Sequence, residues 1–307
     1  MTHGEADPGL TAVPGLRVGH WTDAGARTGC TVVLAPPGGA VGSGRVLGAA
    51  PGTREAALLD PAATVSTVHA LLLTGGSAFG LDAAGGVMAA LEAAGEGVPT
   101  PAGPVAIVPA AVLYDLAVGR ADVRPGAAEG RAATDAAHDG PVAEGAVGVG
   151  AGATVGKLAG MEHAVRSGVG SVSRRMKGGA TLGVLAVSNA AGALVAPDGT
   201  PVAGRATPPD GGAAPLVAGT QTTLVVVATD ATLDAAGARA LATSAHAGIA
   251  RVTRPSHTPF DGDTTFVLAT GARPPVDPTA LATTAQEGVA DAILRGARAG
   301  ASAGDAP

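Results

Sequence analysis

The sequence predicts a mixed α/β fold, of the α+β sandwich kind rather than a doubly wound parallel sheet. Three observations predict it. Strand-length runs rich in β-branched residues are interspersed with segments whose apolar residues recur at helical spacing. These segments succeed one another without the regular βαβ rhythm that a doubly wound sheet demands. And 46% of the 307 residues are apolar while only 2% are aromatic, so a sizeable core must be built from Ala, Val and Leu.

Taken in order, residues 31–35 (Thr-Val-Val-Leu-Ala) read as a short strand stopped by Pro36-Pro37-Gly38-Gly39. Residues 68–74 form an apolar run ending at Gly75-Gly76, where Ser77 can cap a helix. From 79 to 94, Leu81, Val87, Met88 and Leu91 recur at helical spacing. Residues 104–116 are again apolar and short, and the Gly/Ala segment 145–156 has too little side chain to pack as an ordinary helix, so a loop is expected. Residues 181–188 and 223–229 are β-branched runs of strand length. Residues 233–249 read as helix, 265–270 as strand and 279–297 as helix. The stretch 197–218, rich in Pro, Gly and Asp, is the one convincing exposed linker, and residues 301–307 read as a frayed tail.

Composition narrows the function. A net charge of −6 without a Lys/Arg run argues against nucleic acid or an anionic membrane as partner. No stretch approaches the ~20 apolar residues of a membrane span, and residues 1–10 lack a basic and an apolar signal region, so a cytoplasmic protein is expected. Cys30 is the single cysteine, which excludes an internal disulfide and reads as a small buried apolar residue. Against a background flooded with Ala, Gly, Val and Arg, the scarce residues stand out: Tyr114 is the only tyrosine, Asn189 the only asparagine, and Lys157 one of two lysines.

Familiar motifs fail on spacing. Gly152-Ala153-Thr154-Val155-Gly156-Lys157-Leu158 is one residue short of a phosphate loop and lacks the hydroxyl residue after the lysine. Gly75-Gly76-Ser77-Ala78-Phe79-Gly80 misses the nucleophile-elbow pattern by one position. His257, Asp261 and Asp263 match no metal-ligand spacing, so no metal and no cofactor is expected.

A threonine opening an apolar run, as in Gly219-Thr220-Gln221-Thr222-Thr223-Leu224-Val225, reads by itself as the first residue of a strand. A resemblance over nearly the whole chain adds chemistry to it. The blocks that carry it begin with Val13-Pro14-Gly15-Leu16-Arg17-Val18-Gly19-His20, Thr28-Gly29-Cys30-Thr31-Val32-Val33 and Ala50-Pro51-Gly52-Thr53-Arg54-Glu55. They continue with Leu73-Thr74-Gly75-Gly76-Ser77-Ala78-Phe79-Gly80-Leu81 and Ile107-Val108-Pro109-Ala110-Ala111-Val112-Leu113-Tyr114-Asp115. Last come Gly152-Ala153-Thr154-Val155-Gly156-Lys157 and Arg254-Pro255-Ser256-His257-Thr258-Pro259-Phe260-Asp261-Gly262-Asp263-Thr264. In this order they resemble the DmpA-type peptidases, self-cleaving N-terminal-nucleophile hydrolases that include β-aminopeptidases and the nylon-oligomer hydrolase.

The resemblance implies an αββα sandwich forming a single catalytic domain over 1–307, assembled as a homotetramer. It implies self-cleavage between Gln221 and Thr222, giving chains 1–221 and 222–307 that act on small peptides or amides. It sets the nucleophile at Thr222, a lysine at Lys157, an oxyanion-side asparagine at Asn189, an active-site tyrosine at Tyr114 and paired acidic positions at Asp261 and Asp263. Three of these are the scarce residues that composition independently singles out. The chemistry is coherent. A threonine hydroxyl needs a base, and the freed α-amine of Thr222, with a reference pKa of ~7.7–8.0, can be that base without any histidine.

Two departures stand out. Gln221 occupies a position where many relatives carry asparagine, which predicts slower maturation, and Gly42-Ser43-Gly44-Arg45-Val46-Leu47-Gly48 replaces an acidic, Arg-Gly-Gly type stretch. The related ornithine acetyltransferases carry Ala-Thr-Met-Leu around their nucleophile, which Gln221-Thr222-Thr223-Leu224 does not match. An ornithine-acetyltransferase-like acyltransferase and a non-cleaving structural homologue are the alternatives, and an intact band on a denaturing gel would reveal the second.

Overall fold

Alternating side chains on adjacent strands divide the core into layers. In the strand Thr222–Ala231, Leu224, Val226 and Ala228 face one buried cluster while Val225 and Val227 face another. The computed structural model describes residues 7–205 and 216–302. Two sheets lie face to face. One has five strands in the order Arg17–Asp23, Thr28–Leu34, Ala70–Thr74, Ala110–Val112, Thr53–Arg54. The other has six, in the order Val169–Arg175, Thr181–Asn189, Thr222–Ala231, Thr264–Arg273, Ala40–Val46, Thr67–Val68.

Between the sheets, Val33, Leu71 and Leu73 from the first, with Leu113 just after its strand Ala110–Val112, meet Leu185, Val187, Leu224 and Phe266 from the second. Outside the first sheet lie helices α1 (Ala83–Ala93) and α2 (Ala127–Asp135); Ala83, Ala84, Val87 and Ala133 pack on Val32 and Leu72. Outside the second lie α3 (Ala235–Val252) and α4 (Pro278–Ala301), whose Leu241, Ile249, Val289 and Ile293 cover Val184, Val225, Val227 and Val267. The result is the expected αββα sandwich. Small side chains let the layers approach closely, which is how a core almost free of aromatics still excludes water.

Local chemistry sets the helix starts. Asp234 accepts from the Gly237 N–H at the head of α3, and Asp277 accepts from the Ala280 N–H at the head of α4, where Pro278 fills the first turn. Three expectations are corrected. Ser77 does not cap a helix: its φ is +53°, and a 3-10 turn over Ser77–Asp82 precedes α1. The stretch 197–218 is not uniformly loose, because Pro201–Ala203 pairs with Ala193–Val195; its residues 206–215 lie outside those described. The expected tail begins later than 301, since α4 runs to Ala301, and residues 303–307 again lie outside those described.

Candidate active site

Two neighbouring strands of the six-stranded sheet fix the nucleophile's surroundings. Thr222 opens the strand Thr222–Ala231 and pairs across the antiparallel ladder with Asn189, the last residue of Thr181–Asn189. On its other side the same strand runs parallel to Thr264–Arg273, with Leu224 opposite Thr264, so the residues just before Thr264 arrive beside Gln221 and Thr222. Three distant parts of the sequence thus meet at one sheet end.

There the carbonyl oxygen of Gln221 receives two donors. The backbone N–H of Gly262 donates to it at 2.8 Å, and the Thr222 hydroxyl donates at 2.5 Å. Gly262 must be glycine for this approach, since a Cβ at that position would sit 2.8 Å from the Thr222 hydroxyl oxygen and 2.9 Å from the Ala50 carbonyl. The flanking carboxylates hold the backbone around it. Asp263 accepts from the Thr223 N–H (2.6 Å) and from His257 Nδ1 (2.7 Å). Asp261 accepts from the Thr258 N–H at 2.5 Å through Oδ2, while its Oδ1 is buried without a hydrogen-bond partner among the described residues. Burial and the nearby Asp263 carboxylate push the Asp261 carboxyl up.

Lys157 comes after a left-handed Gly156 in a short 3-10 turn, which turns its side chain inward. Its ammonium donates to the Asn189 side-chain oxygen (2.7 Å) and to the Asn189 carbonyl (2.9 Å). Burial pulls the amine down to about 7, against the opposing pull of the Asp261 and Asp115 carboxylates. The same side-chain oxygen of Asn189 takes the Thr154 N–H at 3.1 Å, and the Asn189 amide donates to the carbonyls of Tyr114 (3.0 Å) and Thr220 (3.4 Å). In this uncut chain, then, Asn189 grips the segment that leads into the nucleophile, and the backbone donor on the Gln221 carbonyl is Gly262. Tyr114, half-buried, lines a cavity of about 210 Å³ with Lys157, Thr154, Thr220 and Gln221. Besides Thr222 itself, the other five residues singled out from the sequence are therefore brought to the strand end that carries the Gln221–Thr222 bond.

The structure adds two residues to whose role the sequence gives no clear pointer. His257, whose spacing fits no metal site, pairs with Asp263; burial opposes its protonation, but the carboxylate outweighs that and holds its pKa up. Asp115 stands in the sequence only as the neighbour of Tyr114. It is buried, accepts from the Thr28 hydroxyl and the Gly76 N–H at 2.7 Å each, and burial raises its carboxyl. A carboxylate directly after the lone tyrosine is the signal that could have found it. Cys30 is buried, with its thiol pushed up to about 12 by burial, as an inert apolar residue would be.

The sequence profile of peptidase family S58 matches residues 9–303. The chain belongs to that family. Membership in family S58 makes it a hydrolase of peptide or amide bonds, as the resemblance implied. A protein of Mycobacterium tuberculosis, described as an uncharacterized aminopeptidase, is 48% identical over 289 residues, covering 86% of this chain and 81% of its own length. A 6-aminohexanoate-oligomer endohydrolase of Agromyces sp. is 29% identical over 253 residues, 74% of this chain and 70% of its own. Among solved structures, a Burkholderia sp. β-aminopeptidase aligns with a TM-score of 0.70 at 26% identity, over 95% of this chain and 86% of that one. The L-aminopeptidase D-Ala-esterase/amidase of Ochrobactrum anthropi aligns with a TM-score of 0.73 at 20% identity, over 94% and 85%. Its structure is described as a new variant among the Ntn-hydrolase fold, and this S58 chain shares that fold. Among the described residues no helix is long and apolar enough to cross a membrane.

Proposed function

We propose that this chain is a self-activating aminopeptidase or amidase in which Thr222 is first the nucleophile of its own release and then that of turnover. The observation that carries the reading is the convergence of the Thr222 hydroxyl and the Gly262 N–H on the Gln221 carbonyl oxygen. In the first stage the Thr222 oxygen attacks the Gln221 carbonyl carbon, and negative charge builds on the oxygen that Gly262 already contacts. Preorganised donors of this kind lower such barriers by roughly 3–4 kcal/mol. The C–N bond breaks, the hydroxyl proton ends on the Thr222 nitrogen, and Gln221 is left as an ester on the side chain. Water hydrolyses that ester, giving a Gln221 carboxylate and a free Thr222 with both its amine and its hydroxyl.

In the second stage the neutral α-amine takes the hydroxyl proton as Thr222 attacks a substrate carbonyl. The proton passes to the departing amine, an acyl ester remains on Thr222, and water releases the acid. The buried Oδ1 of Asp261, without a partner among the described residues, suits it to face the new ammonium, and Asp263 holds the adjoining backbone in place. Lys157 and Asn189 form the opposite wall, with Tyr114 beside them. Thr222 is buried at the strand end, so the amine is created where water is scarce and electrostatic effects are strong.

The proposal includes a homotetramer of cleaved protomers, supported by the resemblance, and a cytoplasmic location, with which the single, buried cysteine is compatible; size-exclusion chromatography with light scattering tests the assembly. Intact-mass spectrometry of fresh and aged protein tests the chemistry. Fragments 1–221 and 222–307 are expected, and a cut at any other bond overturns the assignment of Thr222.

A further inference from the structure

The two glycine-rich segments that fit neither a nucleophile elbow nor a phosphate loop meet in space at one buried carboxylate, that of Asp115. A Cβ at Gly75 would overlap the Asp115 carboxylate, and one at Gly152 would lie 2.5 Å from the Asp115 Cβ. Both glycines therefore clear the space that this side chain fills. The carboxylate is held at each oxygen: Oδ2 accepts from the Thr28 hydroxyl and Oδ1 from the Gly76 N–H, at 2.7 Å each. All of these anchors belong to the first sheet or its edges, since Thr28 opens the strand Thr28–Leu34 and Gly76 follows Ala70–Thr74.

Asp115 adjoins the machinery of the second sheet through its own backbone. The peptide that joins Tyr114 to Asp115 carries the Tyr114 carbonyl, and that carbonyl takes the Asn189 side-chain amide at 3.0 Å. The same amide reaches the Thr220 carbonyl at 3.4 Å, just before the residue that is to be released. The side-chain oxygen of Asn189 is occupied too, by the Lys157 ammonium at 2.7 Å and the Thr154 N–H at 3.1 Å. With both ends of its amide engaged, Asn189 is oriented by its partners, and a displaced Tyr114 carbonyl would disturb all of them together.

If Thr222 acts as proposed above, this alignment bears on the rate of its chemistry. We propose that Asp115 is a positioning residue: anchored to Thr28 and Gly76, it sets the Tyr114 carbonyl and, through it, the Asn189 side chain that grips Thr220 and receives Lys157. The first sheet thereby aligns a bond carried by the second. The charge of Asp115 serves the same site. Burial raises its carboxyl, the Lys157 ammonium pulls it back down, and the carboxylate in return helps Lys157 to keep its proton.

The test is the first-order rate of self-cleavage of the fresh chain, followed by intact mass, in wild type, Asp115→Ala, Asn189→Ala and the double variant, with thermal melts to show that each is folded. Asp115→Ala should slow the cut by about tenfold or more. The double variant should be no slower than Asn189→Ala alone, because one residue acts through the other. Asp115→Asn keeps an acceptor for the Gly76 N–H and a partner for the Thr28 hydroxyl. Read at its best pH between 5 and 9, since loss of the charge weakens the hold of Lys157 on its proton, it should come within about threefold of wild type. Should Asp115→Ala not fold, Thr28→Val removes one donor from an intact carboxylate; it should slow the cut by about threefold or more, and not at all on the Asn189→Ala background. Wild-type rates in Asp115→Ala, in Asn189→Ala or in Thr28→Val, slowings that multiply in the double variant, or an asparagine variant as slow as alanine each overturn the inference and leave Thr222 as the nucleophile. A wild-type chain that cuts at another bond, or never, sinks the proposed function and this inference with it.

Discussion

The backbone N–H of Gly262 points at the carbonyl oxygen of Gln221 from 2.8 Å, so the bond to be cut is held in the uncut chain by the loop that carries both site carboxylates. Because the Thr222 hydroxyl shares that oxygen, the position of Gly262 and the reactivity of Thr222 are coupled. Gly262→Ala keeps the N–H but puts a methyl group 2.8 Å from the hydroxyl oxygen, so loop or nucleophile must shift. Self-cleavage should slow by about 10- to 100-fold, since small misplacements of reacting groups are costly. Time courses on a denaturing gel measure this; a wild-type rate would mean that Gly262 is not part of the machinery.

Thr222→Ala should leave one uncut chain without amidase activity, because both stages require the hydroxyl. Thr223→Ala should still cut. Thr223 contributes its N–H to Asp263 and its hydroxyl to Ser188 at 3.2 Å, and alanine keeps the first of these. The second is a buried neutral contact worth roughly 1 kcal/mol, so only a modest fall in stability is expected. Mass spectrometry and thermal melts of the two variants decide the point, and the reverse pattern would make Thr223 the nucleophile.

How much of this was legible in the sequence depends on what a residue's role requires. The strand Thr222–Ala231 and helices α3 and α4 were legible because burial on both faces, or on one helical stripe, leaves an apolar pattern. The strand Ala40–Val46 was not. Its sequence Ala-Val-Gly-Ser-Gly-Arg-Val carries turn-type glycines, yet Gly42 is there because the Val68 side chain fills the space a Cβ would need. The strand Val169–Arg175 hid similarly behind Gly170, Ser171 and Ser173; Ser171 is buried because its hydroxyl donates to the Val184 carbonyl and accepts from the Leu10 N–H. At the site, side-chain identities were legible through rarity and resemblance. The Gly262 N–H was not, since a backbone donor leaves no residue type to read. Nor was the His257–Asp263 pair, which depends on a turn with His257 at a φ of +54°.

Lys157 links stability to pH. Its folded-state pKa of about 7 lies below the ordinary lysine value of 10.5. Between those two values the unfolded chain holds a proton on this amine that the folded chain does not, so stability falls as pH falls from 10.5 toward 7. Lys157→Met carries no such group. The difference in Tm between variant and wild type should therefore move in the variant's favour between pH 9 and pH 6, even as activity falls. A difference independent of pH, measured by calorimetry, would mean that Lys157 keeps an ordinary pKa and is not desolvated.

The pH profile of turnover separates an amine base from an imidazole. The ring nitrogens of His257 face the Asp263 carboxylate (2.7 Å) and the His246 carbonyl (3.4 Å), so its link to Thr222 runs through Asp263. Asp263 in turn contacts the Thr223 N–H and not the Thr222 hydroxyl. If the Thr222 α-amine is the base, kcat/KM should rise with pH along a limb set by that amine in the free enzyme. The Lys157 ammonium lowers that pKa by repulsion only below its own pKa of about 7, and the Asp261 and Asp263 carboxylates raise it by attraction. His257→Gln removes the imidazole while leaving a side-chain amide able to donate to Asp263. The basic limb should survive in this variant, displaced because Asp263 then faces a neutral partner. Disappearance of the limb would make His257 the base and would remove the N-terminal amine from the mechanism.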